Sequence, residues 1–377
     1  MSSSPSRAPP LDRDGLTVSD EKKARDALAR SRRVIVKVGS KSLAGDAWQR
    51  LAAEVRAMRD AKRDVVIVSS GAIALGIHRL GLKHRPKDMA WLQAAAAAGQ
   101  STLMQRWEAA FEPLGIAAAQ VLLTHADLAD RARTNNARSA LSALLEAGAV
   151  PVVNENDAVA VDEIKFGDND QLASMVVPLV GADLLLLLSD VEGLLDDGGR
   201  RVPFVRSVAK EARPFAQGSR SGVGTGGMTS KIEAARRATL AGANVVIAPA
   251  REPGIIGRVL AAEDVGTLFP GVHRRLAARK HWIAFTLRPR GALVLDPGAA
   301  QAVQKNRSVL AVGVLGVRGS FQPDDSVALY DIEGREIARG LVQLSAVDAA
   351  RVCGKRDEKG ESPELVHKDD LVVLTDE

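Results

Sequence analysis

Five short apolar runs limit what this chain can fold into more than any other feature: VIVKV (34–38), VVIV (65–68), VPVV (150–153), LLLLL (184–188) and VVIA (245–248). Runs this short and this continuous suit strands covered on both faces. The segments between them carry helical spacing. Trp48, Leu51, Val55 and Met58 repeat along one face, and an Ala-rich stretch runs from Met89 to Phe111. Ala137, Leu141, Leu144 and Leu145 mark another face, stopped by Gly148 as a C′ residue, and a helix from Thr229 to Ala241 ends at Gly242. Strands alternating with helices imply a parallel sheet with right-handed crossovers. The expected fold class is therefore α/β, a mainly parallel sheet sandwiched by helices, over residues 33–271.

Beyond Gly271 the pattern changes to short β-type runs: ALVL (292–295), VLAVGV (309–314), SVALY (326–330), EIARGL (336–341) and LVVL (371–374). Pro-Gly, Asp-Asp and Glu-Gly turn signals separate them, which describes a small, mostly β domain over 278–377. At the other end, residues 1–32 read as a mobile extension, rich in Ser, Pro and charge to about residue 18 and then thinly helical from Ser19 to Arg32. No internal repeat is visible. Aromatic residues are only 3% of the chain while apolar residues are 46%, so the cores must be built from Ala, Val and Leu.

Charge and cysteine usage narrow the chemistry. A net charge of +5 over 377 residues is mild, and fits anionic small molecules better than a nucleic-acid coat. Cys353 is the single cysteine and the six histidines include no i, i+4 pair, so intramolecular disulfides, a cysteine-built zinc site and a His-rich metal site are not expected. No apolar run of about 18 residues is present to span a membrane. The first residues lack the apolar stretch of a secretory signal, and the expectation is a cytoplasmic protein.

Polar residues collect where the strands end. VIVKV carries Lys37 and leads to Gly39-Ser40; VVIV leads to Ser69-Ser70-Gly71; VPVV leads to Asn154-Glu155-Asn156-Asp157; LLLLL leads to Ser189-Asp190. Ligands of open α/β sheets bind beyond the carboxyl ends of the strands, and four such tips point to one site. Lys37 within an apolar strand is either a snorkelling edge residue or a charge aimed at phosphate. GVGTGGMTSK (222–231) is neither a Rossmann fingerprint, lacking a preceding strand, nor a Walker A loop. It is either a linker or a glycine loop that offers N–H groups and a helix start to an anion. EIKFGDNDQ (163–171) places Asp168 and Asp170 around Asn169 in a tight turn, which is either a solvated Asx turn or a site for Mg²⁺, a lysine or an amine. Two lysines, a glycine loop and clustered acids together suit phosphoryl transfer, which needs charge neutralisation and alignment more than covalent chemistry.

KVGS (37–40), SSGAIALG (69–76), VNENDAV (153–159), KFGDND (165–170), LLSD (187–190) and GTGGMTSK (224–231), in this order, resemble the amino acid kinase family, and within it the members that phosphorylate glutamate. The C-terminal segment resembles the PUA domain that bacterial members often carry. The resemblance covers residues 33–377. It implies ATP-dependent phosphorylation of the L-glutamate side-chain carboxylate, the first step of proline synthesis, with proline as feedback inhibitor. It assigns Lys37, Lys231 and Asp170 to catalysis, the lysines on the phosphates and Asp170 orienting them. It assigns Ser70, Asp157, Asn169, Asn154 and Asp168 to glutamate. ATP would be held by Lys37, Ser189, Asp190, Thr225, Gly226, Gly227, Met228, Thr229, Ser230 and Lys231, with Mg²⁺ bound mainly through the nucleotide.

Two departures from the family pattern stand beside the phosphate loop: Lys41, where a small hydroxyl residue is more usual, and a short connection from Gly39 to the helix at Trp48. The resemblance further implies a homo-oligomer, dimer or tetramer. RNA binding by the C-terminal domain is a less favoured reading. It would rest on a basic cluster at Arg274, Arg275, Arg279, Lys280, Arg288 and Arg290, which a solvated linker also explains.

Overall fold

The computed structural model describes residues 18–160, 169–212, 227–272, 277–356 and 360–374. The chain divides into two units, one of 1–124 with 135–272 and the other of 125–134 with 273–377.

The first unit is built on a seven-stranded sheet in the order β3-β4-β2-β1-β5-β6-β7. Its strands are β1 Arg33–Val38, β2 Asp64–Ser69, β3 Ala118–Leu123, β4 Val150–Glu155, β5 Leu184–Ser189, β6 Asn244–Pro249 and β7 Thr267–Phe269. Neighbours pair in parallel apart from the antiparallel β6–β7 edge. The five apolar runs are β1, β2, β4, β5 and β6, and in β1, β2 and β5 every residue after the first is buried. The two edge strands, β3 and β7, have no counterpart among those runs. AAQVLL is only partly buried and carries no clear alternation, and TLF is three residues long.

The chain leaves β1 toward β2 on one side and later arrives at β5 on the other, so the direction of winding reverses beside β1. At such a reversal the loops after adjacent strands diverge and open a crevice at their carboxyl ends. Register brings the tips level, with Lys37 beside Val68 and Leu187, and Val38 beside Ser69 and Leu188.

Helices cover both faces. On one, α2 (Ala47–Asp60) presents Trp48, Leu51, Val55 and Met58 to Val34, Val36 and Val38. On the same side α4 (Met89–Phe111) contributes Leu103, Trp107 and Phe111; Trp107 meets Trp48 edge-on at 5.0 Å and stacks on Phe111 at 5.5 Å. A short helix, α3 (Ala72–Arg79), lies across α4 with backbone touching backbone. A Cβ on Gly76 would stand 1.7 Å from Ala95 O, and one on Gly99 1.8 Å from Ala72 O, so only glycine permits this crossing. After α5 (His125–Ala129) and α6 (Arg131–Glu146), helix α7 (Asn169–Val180) packs against β1 from the opposite face and is buried along nearly its whole length. It in turn packs on the helix Met228–Leu240.

The division of the chain departs from the sequence reading at two points. The composition sets residues 1–32 apart as an extension. Residues 1–17 lie outside the described residues, but α1 (Val18–Leu28) is docked on the first unit. Leu28 is fully buried in its core. Arg25, 5% exposed, donates to Pro203 O (2.9 Å), Glu263 O (3.1 Å) and Val265 O (3.3 Å) and pairs with Glu21 and Asp264. One arginine thus satisfies three carbonyls, which compensates for the helix's thin apolar face. Second, residues 125–134 go with the C-terminal unit, where Trp282 Nε1 donates to Leu128 O at 2.9 Å.

The second unit holds a six-stranded sheet in the order β10-β8-β11-β12-β13-β9. Its strands are β8 Gly291–Leu295, β9 Val309–Leu310, β10 Val314–Gly319, β11 Ser326–Tyr330, β12 Glu336–Val342 and β13 Glu364–Val373. The run VLAVGV is broken by a 3₁₀ turn at Ala311–Gly313. There Ala311 N–H donates to Pro363 O, just before β13, and Gly313 lies so close to Ala299 that a Cβ would be 2.6 Å away. Arg274 and Arg275 of the basic cluster lie outside the described residues. Of the others, Arg279 pairs with Asp370 at 2.6 Å and Lys280 Nζ donates to Asn306 Oδ1 and Lys368 O. Arg290 stands 3.8 Å from Asp325.

Candidate active site

The carboxyl ends of β1, β2, β4 and β5 meet the amino-terminal end of α7, and most of the expected residues come together there. Lys37 lies on the face of β1 opposite Val36 and Val38, directed to α7 rather than to solvent. Its Nζ stands 2.6 Å from Asp170 Oδ1, and Lys231 Nζ donates to Asp170 Oδ2 at 3.0 Å. Lys37, Asp170 and Lys231 are 7%, 0% and 6% exposed, so this is a buried triad of two cations on one anion.

Three ions can be buried together here because each cation has a carboxylate oxygen of its own. Burial alone would raise the Asp170 carboxyl. The charges of Lys37 and Lys231, with their hydrogen bonds, outweigh it and hold the group below the ordinary carboxylate range. Two ammonium groups share one carboxylate, so the triad carries a net +1, which suits it to an incoming anion. A snorkelling edge lysine is thereby ruled out for Lys37, which sits on a central strand.

The sequence pattern leaves Asn169 and Asp170 open between a solvated turn and a site for Mg²⁺, a lysine or an amine; in the structure they open α7 and are buried, with Asp170 on two lysines. The following residues, LASMVVPLV, are buried almost without interruption and draw the segment inward, and Pro178 inside the helix masks its pattern. Asn169 Nδ2 donates to Ser70 Oγ (2.7 Å) and Asn154 Oδ1 (3.0 Å), and lies 3.3 Å from Ser69 O. Asp157 falls in the turn after β4, half-buried. Asp168, the remaining expected glutamate contact, lies outside the described residues, as do Thr225 and Gly226 of the expected nucleotide loop.

Ser70 is held from two directions. Buried Trp107 donates from Nε1 to Ser69 Oγ at 3.0 Å, and Ser70 N–H donates to Val38 O at 3.0 Å. Gly71 then starts α3 at φ 120°, in the region that favours glycine. Sequence reasoning misses Trp107, and it misses Gln100, which accepts from Asn154 Nδ2 at 2.9 Å. Both sit inside the α4 pattern with no local mark of function.

On the other side of β1, Ser189 is buried and Asp190 exposed at the end of β5, with Ser189 Oγ donating to Asp190 Oδ1 at 3.2 Å. Gly227 precedes the helix Met228–Leu240 in extended conformation, with Met228, Thr229 and Ser230 in its first turn and Lys231 one turn in. That helix start faces the same crevice that Lys231 enters, an arrangement favourable to phosphate. Ser40 and the exposed Lys41 form a 3₁₀ turn after β1. Next to Ser40, Ser70 and Gly71 a cavity of about 550 Å³ opens, lined also by Leu43, Trp48, Arg79 and Arg106. Its lining includes no acidic side chain among the described residues. Among those residues no cluster of three His, Cys, Asp or Glu could hold a metal, and both Asp170 oxygens are occupied by lysines.

The model of the amino acid kinase family matches residues 32–249, and that of the PUA domain matches residues 291–361. The chain is 46% identical over 370 residues to a glutamate 5-kinase of Myxococcus xanthus, covering 93% of this chain and 98% of that one. It is 44% identical over 376 residues to the glutamate 5-kinase of Hahella chejuensis, covering 94% and 97%. Among solved structures, an N-acetylglutamate synthase from Neisseria gonorrhoeae superposes with a TM-score of 0.50 at 15% identity, covering 77% of this chain and 70% of that one, a likeness of fold.

Proposed function

The chain belongs to the amino acid kinase family and stands among its glutamate 5-kinases, and from this we propose that it transfers the γ-phosphoryl group of ATP to the side-chain carboxylate of L-glutamate. The observation that carries the reading is the buried Lys37–Asp170–Lys231 triad at the carboxyl ends of the strands.

A glutamate side-chain oxygen attacks the γ-phosphorus, the bond to the β–γ bridging oxygen breaks, and ADP leaves with that electron pair. The product is an acyl phosphate. The carboxylate is ionised at neutral pH and needs no general base, which accords with the absence of histidine from every motif. What the reaction needs is compensation of charge on the phosphoryl oxygens and the leaving oxygen, and two ammonium groups held rigidly by one carboxylate supply it without reorganisation. Ser70, Asn154 and Asn169, with Asp157 and Asp168, are the proposed glutamate contacts. Ser189, Asp190 and the segment Thr225 to Lys231 are the proposed nucleotide contacts. The donor set of the described residues does not by itself suit a metal, and Mg²⁺ is proposed to arrive with the nucleotide and offset its phosphate charge. Proline feedback inhibition, a homo-oligomeric assembly and a cytoplasmic location complete the proposal, each supported by the family alone.

The test is glutamate-dependent ATP turnover with Mg²⁺, trapping the acyl phosphate with hydroxylamine, beside Lys231→Ala. The expected result is a hydroxamate formed with L-glutamate and a rate about a hundred- to a thousandfold lower in the variant. Turnover with aspartate or acetylglutamate in place of glutamate would keep the family and overturn the substrate.

A further inference from the structure

Four side-chain amides run in file from the proposed glutamate site to the edge of the sheet. Asn169 Nδ2 donates to Asn154 Oδ1 (3.0 Å), Asn154 Nδ2 to Gln100 Oε1 (2.9 Å), and Gln100 Nε2 to Gln120 Oε1 (2.9 Å). Each of the first three amides gives its N–H one step outward. The direction is fixed at the inner end, because Asn169 Nδ2 also lies 3.3 Å from Ser69 O, a backbone carbonyl that can only accept. Turning Asn154 over would set N–H against N–H at Asn169 and oxygen against oxygen at Gln100.

This direction decides what the site shows a ligand. Both N–H bonds of Asn169 are spent, on Ser70 Oγ and Asn154 Oδ1, so what Asn169 offers is the acceptor Oδ1. Ser70 Oγ has accepted from Asn169 and keeps its own proton to donate. The pair thus presents an acceptor beside a donor, which matches an ammonium and a carboxylate carried on one carbon. We propose that Gln100, half-buried in α4, is a positioning residue: by accepting from Asn154 it sets the polarity of Asn169 and Ser70 and so the recognition of the amino-acid head group. The proposal rests on the reading of this site as the glutamate site.

Calorimetric binding of L-glutamate and of glutarate, which lacks the α-amino group, tests it in Gln100→Glu and Gln100→Lys, beside steady-state kinetics with L-glutamate. A carboxylate at position 100 still accepts from Asn154, so the Gln100→Glu variant is expected to keep the KM for L-glutamate and the preference over glutarate within about threefold. An ammonium there can only donate and pulls Asn154 Oδ1 toward itself. Gln100→Lys is expected to raise KM at least about tenfold, the worth of one misplaced hydrogen bond, with kcat within about threefold and the preference for glutamate over glutarate largely lost. Gln100→Met, which removes the acceptor without reversing it, is expected to fall between the two and serves if the Gln100→Lys variant does not fold. Equal losses in Gln100→Glu and Gln100→Lys, or an unchanged preference in Gln100→Lys and Gln100→Met, would overturn the positioning role. A wild-type protein that binds no L-glutamate would instead overturn the substrate reading.

Discussion

Replacing Asp170 by asparagine changes the site by one oxygen for nitrogen and removes the negative charge at the centre of the triad. In the wild type the carboxylate is fully buried between Lys37 Nζ at 2.6 Å and Lys231 Nζ at 3.0 Å, and both lysines are more than nine-tenths buried. Asp170→Asn would leave two buried ammonium groups facing each other across a neutral amide that offsets neither charge. Breaking a buried ion pair by removing one partner costs about 3–5 kcal/mol. At about 2–4 °C per kcal/mol for a unit of this size, the apparent Tm falls by roughly 6–20 °C. Turnover falls about a hundred- to a thousandfold as well, because the lysines separate and no longer share one alignment.

The pH dependence gives a sharper signature. Asp170 is held below its ordinary value, so its contribution to wild-type stability is complete above the ordinary carboxylate range and is lost as pH falls through the depressed value. The variant lacks this carboxylate, so that acid-side loss of stability is expected to be absent from it. Thermal melts of both proteins between about pH 2.5 and pH 7, read by circular dichroism, measure stability and pH slope, and hydroxamate trapping at neutral pH measures turnover. A variant within about 1 kcal/mol of wild type, with the same pH slope, would show that the triad is not the buried charge assembly described above.

Two other substitutions probe how the site is supported. Gly99→Ala puts a methyl group 1.8 Å from Ala72 O, and α3 must lift from α4. A loss of at least about 3 kcal/mol in urea unfolding is expected, with a raised KM for glutamate because Ser70 and Gly71 lead into α3. Arg25→Met strips the donors from three carbonyls, none of them belonging to a proposed substrate contact. It is expected to cost about 2–3 kcal/mol while leaving the KM for ATP and glutamate unchanged, and altered kinetics would refute a purely structural role.

The strands are legible because their signal is local. VIVKV and LLLLL are apolar on both faces, and no element other than a covered parallel strand accommodates such runs between helices. The tips are legible too, since polar residues placed directly after those strands can lie only at one edge of the sheet. The edge strand AAQVLL is not, because half-buried positions are under weaker constraint and carry weaker pattern. Asn169 and Asp170 look like turn residues because Asn and Asp favour turns and helix starts for the same reason, a side chain that bonds nearby backbone.

Sequence alone determined the alternation of strand and helix, the break to a β-rich C-terminal unit, and the set of polar groups gathered at the strand ends. Tertiary structure decided which of those groups touch. That Asp170 serves two lysines at once, one far before it in the chain and one 61 residues after it, follows from α7 packing against β1 and against the helix Met228–Leu240. Gln100, Trp107 and Arg25 owe their roles to partners 54, 38 and 178 residues away. A hydrophobic pattern records burial, which each residue carries in its own chemistry. A hydrogen bond records a meeting of two residues, and only the packed chain brings them together.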